Sequence, residues 1–228
     1  MMSTSCAQSY LSFSCMCCLP LKCNQTPCLL AELSCARDVL ILVEDSTDDS
    51  SGVYIKQYLS DFVNSIQIGD EFSLVSLALF DNTVHTQWHL NNYVTSESLI
   101  SNIDDLRFRH RYDVPNFNEL SDYVNEVWVG DRDSVPDIVI VIADHDGTSQ
   151  GGHHGMGMHA MMHHQYSSTA SNNVVNIFRS TKRLIAINVG NDASVANAFL
   201  DYATDVYNIG GHHELATTLE RVLNVFCQ

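Results

Sequence analysis

Apolar and polar positions divide the chain into two regions. Up to residue 34, Ser and Cys interrupt the apolar residues and no periodic element can be read. From Cys35 onward the pattern is regular. Val39-Leu40-Ile41-Leu42-Val43 is a continuous apolar run, which predicts a strand buried on both faces. An acidic, Ser-rich loop, Glu44 to Gly52, follows. Val53, Ile55, Leu59, Phe62, Val63 and Ile66 then recur near the helical period, and Ile68-Gly69-Asp70 predicts a closing turn. Phe72 to Phe80 is a second apolar run, and Val84 to Leu90 predicts an antiparallel partner at an edge. Ser96 to Leu106 predicts a short helix capped by Thr95 or Ser96. Residues 117–129 predict another helix, and Asp137 to Ala143 a central strand. The remainder reads as the end of a helix at Val174–Ser180, a strand at Arg183–Val189, a helix at Val195–Tyr202, a short strand at Val206–Ile209 and a last helix at His213–Phe226.

Alternating strands and helices predict an α/β, doubly wound fold, with a mostly parallel central sheet and helices on both faces. Such sheets bind ligands outside the carboxyl ends of their strands. The loops expected there are Glu44–Gly52, Arg109–Asn118, Asp144–Ser168 and Gly190–Asp192.

Charge narrows the field of partners. The 228 residues carry 11 Lys plus Arg against 27 Asp plus Glu, a net charge of -16. Residues 1–34 hold one Lys (Lys22) and one Glu (Glu32), so the excess belongs to residues 35–228. Such a field repels phosphate backbones and anionic membranes, so no nucleic-acid partner is expected. No apolar stretch is long enough for a transmembrane helix.

The cysteines are as uneven as the charge. Cys6, Cys15, Cys17, Cys18, Cys23 and Cys28 lie in the first 34 residues, while Cys35 and Cys227 bracket everything else. The bracketing pair points to a disulfide clasp, and with it to an oxidising compartment and secretion. The alternative is eight reduced thiols. The segment 1–34 reads as a Cys-rich head, weakly structured or processed. It lacks the basic start and continuous apolar core of a signal peptide, and its cysteine spacing fits no zinc signature well. Asn24-Gln25-Thr26 is a formal glycosylation acceptor, weakened by Pro27.

Four stretches in order carry a family resemblance. They are Arg37 to Ser46, Gly69-Asp70 with Phe72 to Phe80, Val139 to Asp144, and Leu184 to Asn191. Residues 35–227 resemble a von Willebrand factor type A (VWA) domain, as in matrilins, collagen VI and integrin I domains. Cysteines before the first strand and after the last helix are usual there. The resemblance implies a metal-ion-dependent adhesion site (MIDAS), in which Asp-x-Ser-x-Ser, a Thr and an Asp hold a hard cation that a partner's carboxylate completes. Carried over by position, the first Asp is Glu44, the first Ser is Ser46, the second Ser is Asp48, the Thr is Val114 and the final Asp is Asp144. A local slip brings Asp113, Asn116 or Asn118 into the place of Val114.

Two readings of that site follow. In one, Glu44, Ser46, Asp48 and Asp144 still bind one divalent cation, with Ca²⁺ or Mn²⁺ suiting the extra carboxylates better than Mg²⁺. In the other, the site is lost and partners bind by shape and charge. Asp45, Asp49, Asp113, Asn116 and His145 are expected at the partner-facing surface. Asp45, Asp48 and Asp49 also suit the start of the following helix.

A second chemistry lies at residues 151–165. His153, His154, His159, His163 and His164 alternate with four Met within twelve residues, a composition suited to Cu or Zn. A permissive surface insertion without a ligand accounts for the same tract. Eleven His on an acidic chain also allow pH-dependent association. His212-His213 reads as plain surface, and Trp88 and Trp128 as core.

No nucleophile elbow, Walker loop or Rossmann glycine fingerprint is present, so the chain is not expected to be an enzyme. The expected function is a secreted interaction or adhesion module in residues 35–228, binding an extracellular, collagen-like or matrix protein at the loop face. The alternatives are a Cu/Zn-binding protein acting through the His/Met loop, and a structural matrix module that needs no metal.

Overall fold

Five of six strands run parallel in one sheet, as the uninterrupted apolar runs require. The computed structural model describes residues 35–45, 49–81, 83–109, 120, 123, 129–144, 183–190 and 203–228. These residues all lie within one unit, Ala31–Gln228. Their order is β1 (Asp38–Glu44), α1 (Asp49–Asn64), β2 (Leu74–Phe80), β3 (Val84–Trp88), α2 (Ser96–Asp105), β4 (Asp137–Ala143), β5 (Arg183–Val189), β6 (Asp205–Ile209), a single 3₁₀ turn (His212–Glu214) and α3 (Ala216–Phe226).

The sheet order is β3-β2-β1-β4-β5-β6, with only β3 antiparallel. The chain works outward from β1 in one direction, then crosses back to β4 and works outward in the other. That reversal places a crevice between the carboxyl ends of β1 and β4. Val43 pairs with Ile142 there, so Glu44 and Asp144 leave the sheet side by side.

Strand alternation sorts the core into two layers. Val39, Ile41 and Val43 with Ile138, Ile140 and Ile142 face Ile55, Leu59 and Phe62 of α1, Leu99 and Ile103 of α2, and Val222 and Phe226 of α3. Leu40, Leu42, Val139 and Val141 face the other way, onto Leu120 with Tyr123 beside it. Every residue of β1 is buried, which is why its sequence shows no polar alternation. Phe62 and Phe226 meet edge-to-face at 5.7 Å between centroids, tying α1 to α3. Trp88 is buried, and its indole N–H donates to the Val75 carbonyl at 3.1 Å.

The predicted boundaries shift slightly. Phe72 belongs to a turn, its N–H donating to Gly69 at 2.9 Å, so β2 begins at Leu74. Thr95 is the α2 cap, its hydroxyl accepting from the Ser98 N–H. The helices expected at 174–180 and 195–202, most of the one at 117–129, and Trp128 lie outside the described residues, as does segment 1–34.

Cys35 and Cys227 form a disulfide across 192 residues, with Cα atoms 5.7 Å apart. Ser73 Oγ donates to the Cys35 carbonyl at 3.1 Å, and Arg37 Nε to the Phe226 carbonyl at 2.9 Å. Both chain ends of the domain are thus fastened at the amino end of the sheet, opposite the β1–β4 crevice.

Candidate functional site

Glu44 is the last residue of β1 and Asp144 the first after β4. Asp144 donates its backbone N–H to Glu44 Oε2 at 2.9 Å. The longer Glu side chain reaches this N–H from a buried position, Glu44 being 1% exposed. Its carboxylate therefore underlies the crevice, beside the partly exposed carboxylate of Asp144.

A third group completes this corner. His212 follows β6, and its Nε2 stands 3.7 Å from Asp144 Oδ2. Its side chain is only 9% exposed, whereas that of His213 is 64% exposed. The reading of both as plain surface therefore holds for His213 and fails for His212. The cause is the 3₁₀ turn, which projects adjacent residues in different directions. His213 instead lies edge-on to the ring of Tyr54, with centroids 6.3 Å apart. Tyr54 and Val53 are both exposed near the start of α1, giving this face an apolar rim.

Asp45 departs from expectation. The sequence places it at the partner-facing surface, yet it is fully buried. Its N–H donates to the Phe80 carbonyl at 2.8 Å, and its Oδ1 accepts from the Arg109 N–H at 2.8 Å. Among the described residues its Oδ2 has no hydrogen-bond partner, and it lies 3.9 Å from Arg109 Nε. Burial pushes the Asp45 carboxyl above its ordinary value. The Arg109 N–H opposes that rise, and the neighbouring Asp81 charge adds to it. Asp81 is buried too, its Oδ1 accepting from the Thr83 N–H and hydroxyl at 2.8 and 3.0 Å. Arg109 Nη1 lies 3.0 Å from His85 Nε2, and the Thr83 hydroxyl lies 2.7 Å from the same nitrogen. This network of Asp45, Asp81, Thr83, His85 and Arg109 was not read from the sequence. Its members are spread over 64 residues, and no motif links them.

Ser46, Asp48, Asp113, Val114, Asn116, Asn118 and His145 lie outside the described residues, as do His153, His154, His159, His163 and His164 of the His/Met tract. Asp49 is the first residue of α1.

Another acidic group lies at the opposite end of the sheet. Asp38, Asp131 and Asp137 place a carboxylate oxygen each within 4.8 Å of one another. Asp38 opens β1 and Asp137 opens β4, so this group is remote from the crevice. Asp38 is already neutralised by Arg132, whose N–H, Nε and Nη2 donate to it at 2.8, 2.9 and 2.5 Å. Burial, and then the Asp38 charge, push the Asp131 carboxyl upward. The arrangement is that of a buried ion pair bracing the amino end of the sheet.

At the crevice two carboxylates come together, but among the described residues the group of three potential metal ligands within 4.8 Å of one another is Asp38, Asp131 and Asp137 at the other end of the sheet. The two at the crevice come from adjoining strands, one of them buried, and offer charge and oxygen ligands, with an imidazole beside them.

Comparison with known proteins agrees with this fold. The family model for the von Willebrand factor type A domain matches residues 38–196. Three solved structures of proximal thread matrix protein 1 from the mussel byssus are similar in fold. Two have TM-scores of 0.66 at 19% identity, each covering 86% of this chain and 49% of the mussel chain. One of these two is described as having a zinc-occupied MIDAS motif. The third has a TM-score of 0.68 at 20% identity, covering 86% of this chain and 48% of the other. The chain spans about half the length of the mussel protein. No curated protein matches the sequence.

Proposed function

The chain belongs to the von Willebrand factor type A domain family, and on that premise we propose that residues 35–228 form an extracellular protein-interaction module with a divalent-cation-dependent loop face. The observation that carries this reading is the Glu44–Asp144 pair at the β1–β4 crevice. Glu44 in the place of the family's first Asp keeps a carboxylate in the crevice. Asp144 keeps the family's last one. Ser46 and Asp48 are the further ligands by sequence.

A bound cation would supply an open coordination position that a partner's carboxylate fills. This chain's residues do the rest. Glu44 sets the position of the Asp144 backbone, and Val53, Tyr54 and His213 provide a rim on which a partner rests. The partner proposed is an extracellular protein, collagen-like or of the matrix. The Cys35–Cys227 disulfide supports secretion, since such bonds persist in oxidising compartments. Among the described residues, no helix is long and apolar enough to cross a membrane. The role is proposed as non-enzymatic, with segment 1–34 a separate Cys-rich head. The mussel protein's zinc-occupied motif supports trying Zn²⁺ alongside Mg²⁺, Mn²⁺ and Ca²⁺.

The test is binding of the full chain to immobilised collagen and to other matrix proteins, with divalent cations or with EDTA. The reading expects binding that EDTA and Asp144→Ala both abolish, and that deleting residues 151–164 spares. Loss on that deletion alone would favour the Cu/Zn reading of the His/Met tract. Indifference to both would leave a structural module.

A further inference from the structure

We propose that the amino end of the sheet is a second docking surface, which takes a cationic segment of another protein bearing apolar side chains and needs no metal. It lies at the opposite end of the domain from the β1–β4 crevice and does not depend on the reading of that crevice.

The first observation is where apolar side chains are exposed. Among the described residues five large ones are. Val53 and Tyr54 lie near the start of α1, at the crevice end. The other three, Phe72, Val94 and Val129, come from three loops at the amino end: the one entering β2, the one leaving β3 and the one leading into β4. Exposed singly, such residues are ordinary. Gathered together and rimmed by polar groups, they mark an interaction site.

The three loops are locked to one another. A Cβ placed on Gly69 would stand 3.5 Å from the Phe72 ring and 4.0 Å from the Val94 carbonyl oxygen, so the first two loops touch. Gly130, next to Val129, has φ +93° and packs so closely on Asn91 that a Cβ there would stand 3.0 Å from the Asn91 side chain. Arg132 Nη1 and Nη2 donate to the Asp70 and Phe72 carbonyls at 2.6 and 2.7 Å, tying the third loop to the first. The Ser73 N–H donates to the Gln67 carbonyl at 3.0 Å, which closes the turn that presents Phe72. The apolar side chains thus stand on fixed backbone, and covering them orders little more of the chain.

Charge selects the partner. Asp70, Glu71, Asp131 and Asp133 are all exposed, beside Phe72 in the first loop and Val129 in the third. Arg132 lies among them, but its guanidinium is taken up by the buried Asp38 and the two carbonyls. Among the described residues no Lys, Arg or His forms an ion pair with any of the four carboxylates. Arg37 and Arg183 share this end of the sheet, yet Arg37 donates to the Phe226 and Ala36 carbonyls and Arg183 pairs with Asp205. Four carboxylates around three apolar tips complement Lys or Arg interleaved with apolar residues. They disfavour a second copy of this chain, whose net charge is -16. The seven residues of β1 hold the two ends of the sheet roughly 20 Å apart, so both can be occupied at once.

The probe is a short fluorescein-labelled peptide of interleaved Lys and Leu, with a Lys and Gly peptide of equal charge as control. Fluorescence anisotropy measures binding to the full chain in EDTA, and far-UV circular dichroism confirms folding of each variant. The expected result is saturable binding that the control peptide does not match. Phe72→Ser with Val129→Ser weakens it roughly tenfold or more, as truncating an anchor does. Asp70→Asn with Glu71→Gln and Asp133→Asn weakens it and flattens its salt dependence. Asp104→Asn with Asp105→Asn and Glu220→Gln removes as much exposed charge elsewhere and leaves binding unchanged, as does Asp144→Ala. Equal weakening by the two charge variants would mean general attraction to an acidic protein and would overturn the proposal. So would absence of binding, or binding that survives the Phe72 and Val129 changes. Sedimentation velocity of the chain without peptide is the last arm: a dimer that those two changes dissociate would give the surface to a second copy instead.

Discussion

Glu44 Oε2 accepts the backbone N–H of Asp144 at 2.9 Å, so one carboxylate at the crevice positions the backbone that presents the other. The two roles of Glu44, charge and acceptor, are separable. Glu44→Gln keeps an acceptor oxygen and is expected to fold with near-native stability while losing divalent-cation affinity. Glu44→Ala removes the acceptor of a part-buried N–H and is expected to cost about 1 kcal/mol as well. Urea denaturation beside Mn²⁺ titration checks both, and equal stability of the two variants would count against the hydrogen-bonding role.

The disulfide sets much of the stability. Closing a loop of 192 residues is worth about 5 kcal/mol by the chain-entropy argument. Cys35→Ser with Cys227→Ser is expected to lower Tm by roughly 10–20 °C. Calorimetry of the oxidised chain and the double variant measures this, and a change of only a degree or so would contradict it.

Arg132→Met is expected to be among the most damaging single changes. Asp38 is fully buried and takes three bonds from Arg132, so removing the guanidinium leaves an uncompensated charge. The expected cost is about 3–5 kcal/mol. Asp38→Asn in the Arg132→Met background should recover part of it, and failure of that rescue would show that the damage has another source.

Asp45→Asn is expected to stabilise the fold at neutral pH. The folded Asp45 carboxyl titrates above its unfolded value, chiefly through burial. The folded state therefore holds the proton more tightly, and stability falls as pH rises from the ordinary aspartate range through the raised value. Above that value the cost is constant. Asn keeps the acceptor for the Arg109 N–H and removes a buried charge that the long Arg109 pair offsets only in part, an expected gain of roughly 1–3 kcal/mol. Melts in EDTA between acid and neutral pH test the sign; a variant less stable at neutral pH would refute it.

The sheet was legible because central parallel strands are buried on both faces. Val39–Val43 and Ile138–Ile142 need no partner to declare themselves, and β3 at the edge shows more polar residues because its exposure is mixed. The Cys35–Cys227 clasp was legible from position alone. Glu44 and Asp144 were legible through the family resemblance, since each follows directly from an apolar run. The buried state of Asp45 was not. A carboxylate next to a loop reads as exposed unless the chain shows that Arg109 will cover it.

What the amino-acid sequence determined by itself is therefore local and periodic: which segments are strands, their α/β order and the acidic residues that end them. What only the tertiary structure decided is which distant groups share a volume. His212 lies 68 positions from Asp144 along the chain, and neither residue's neighbours announce the other. They meet because β6 pairs with β5, β5 with β4, and the turn after β6 folds back over the carboxyl edge. Contacts of this kind depend on strand order, which burial rewards only after the whole sheet has assembled.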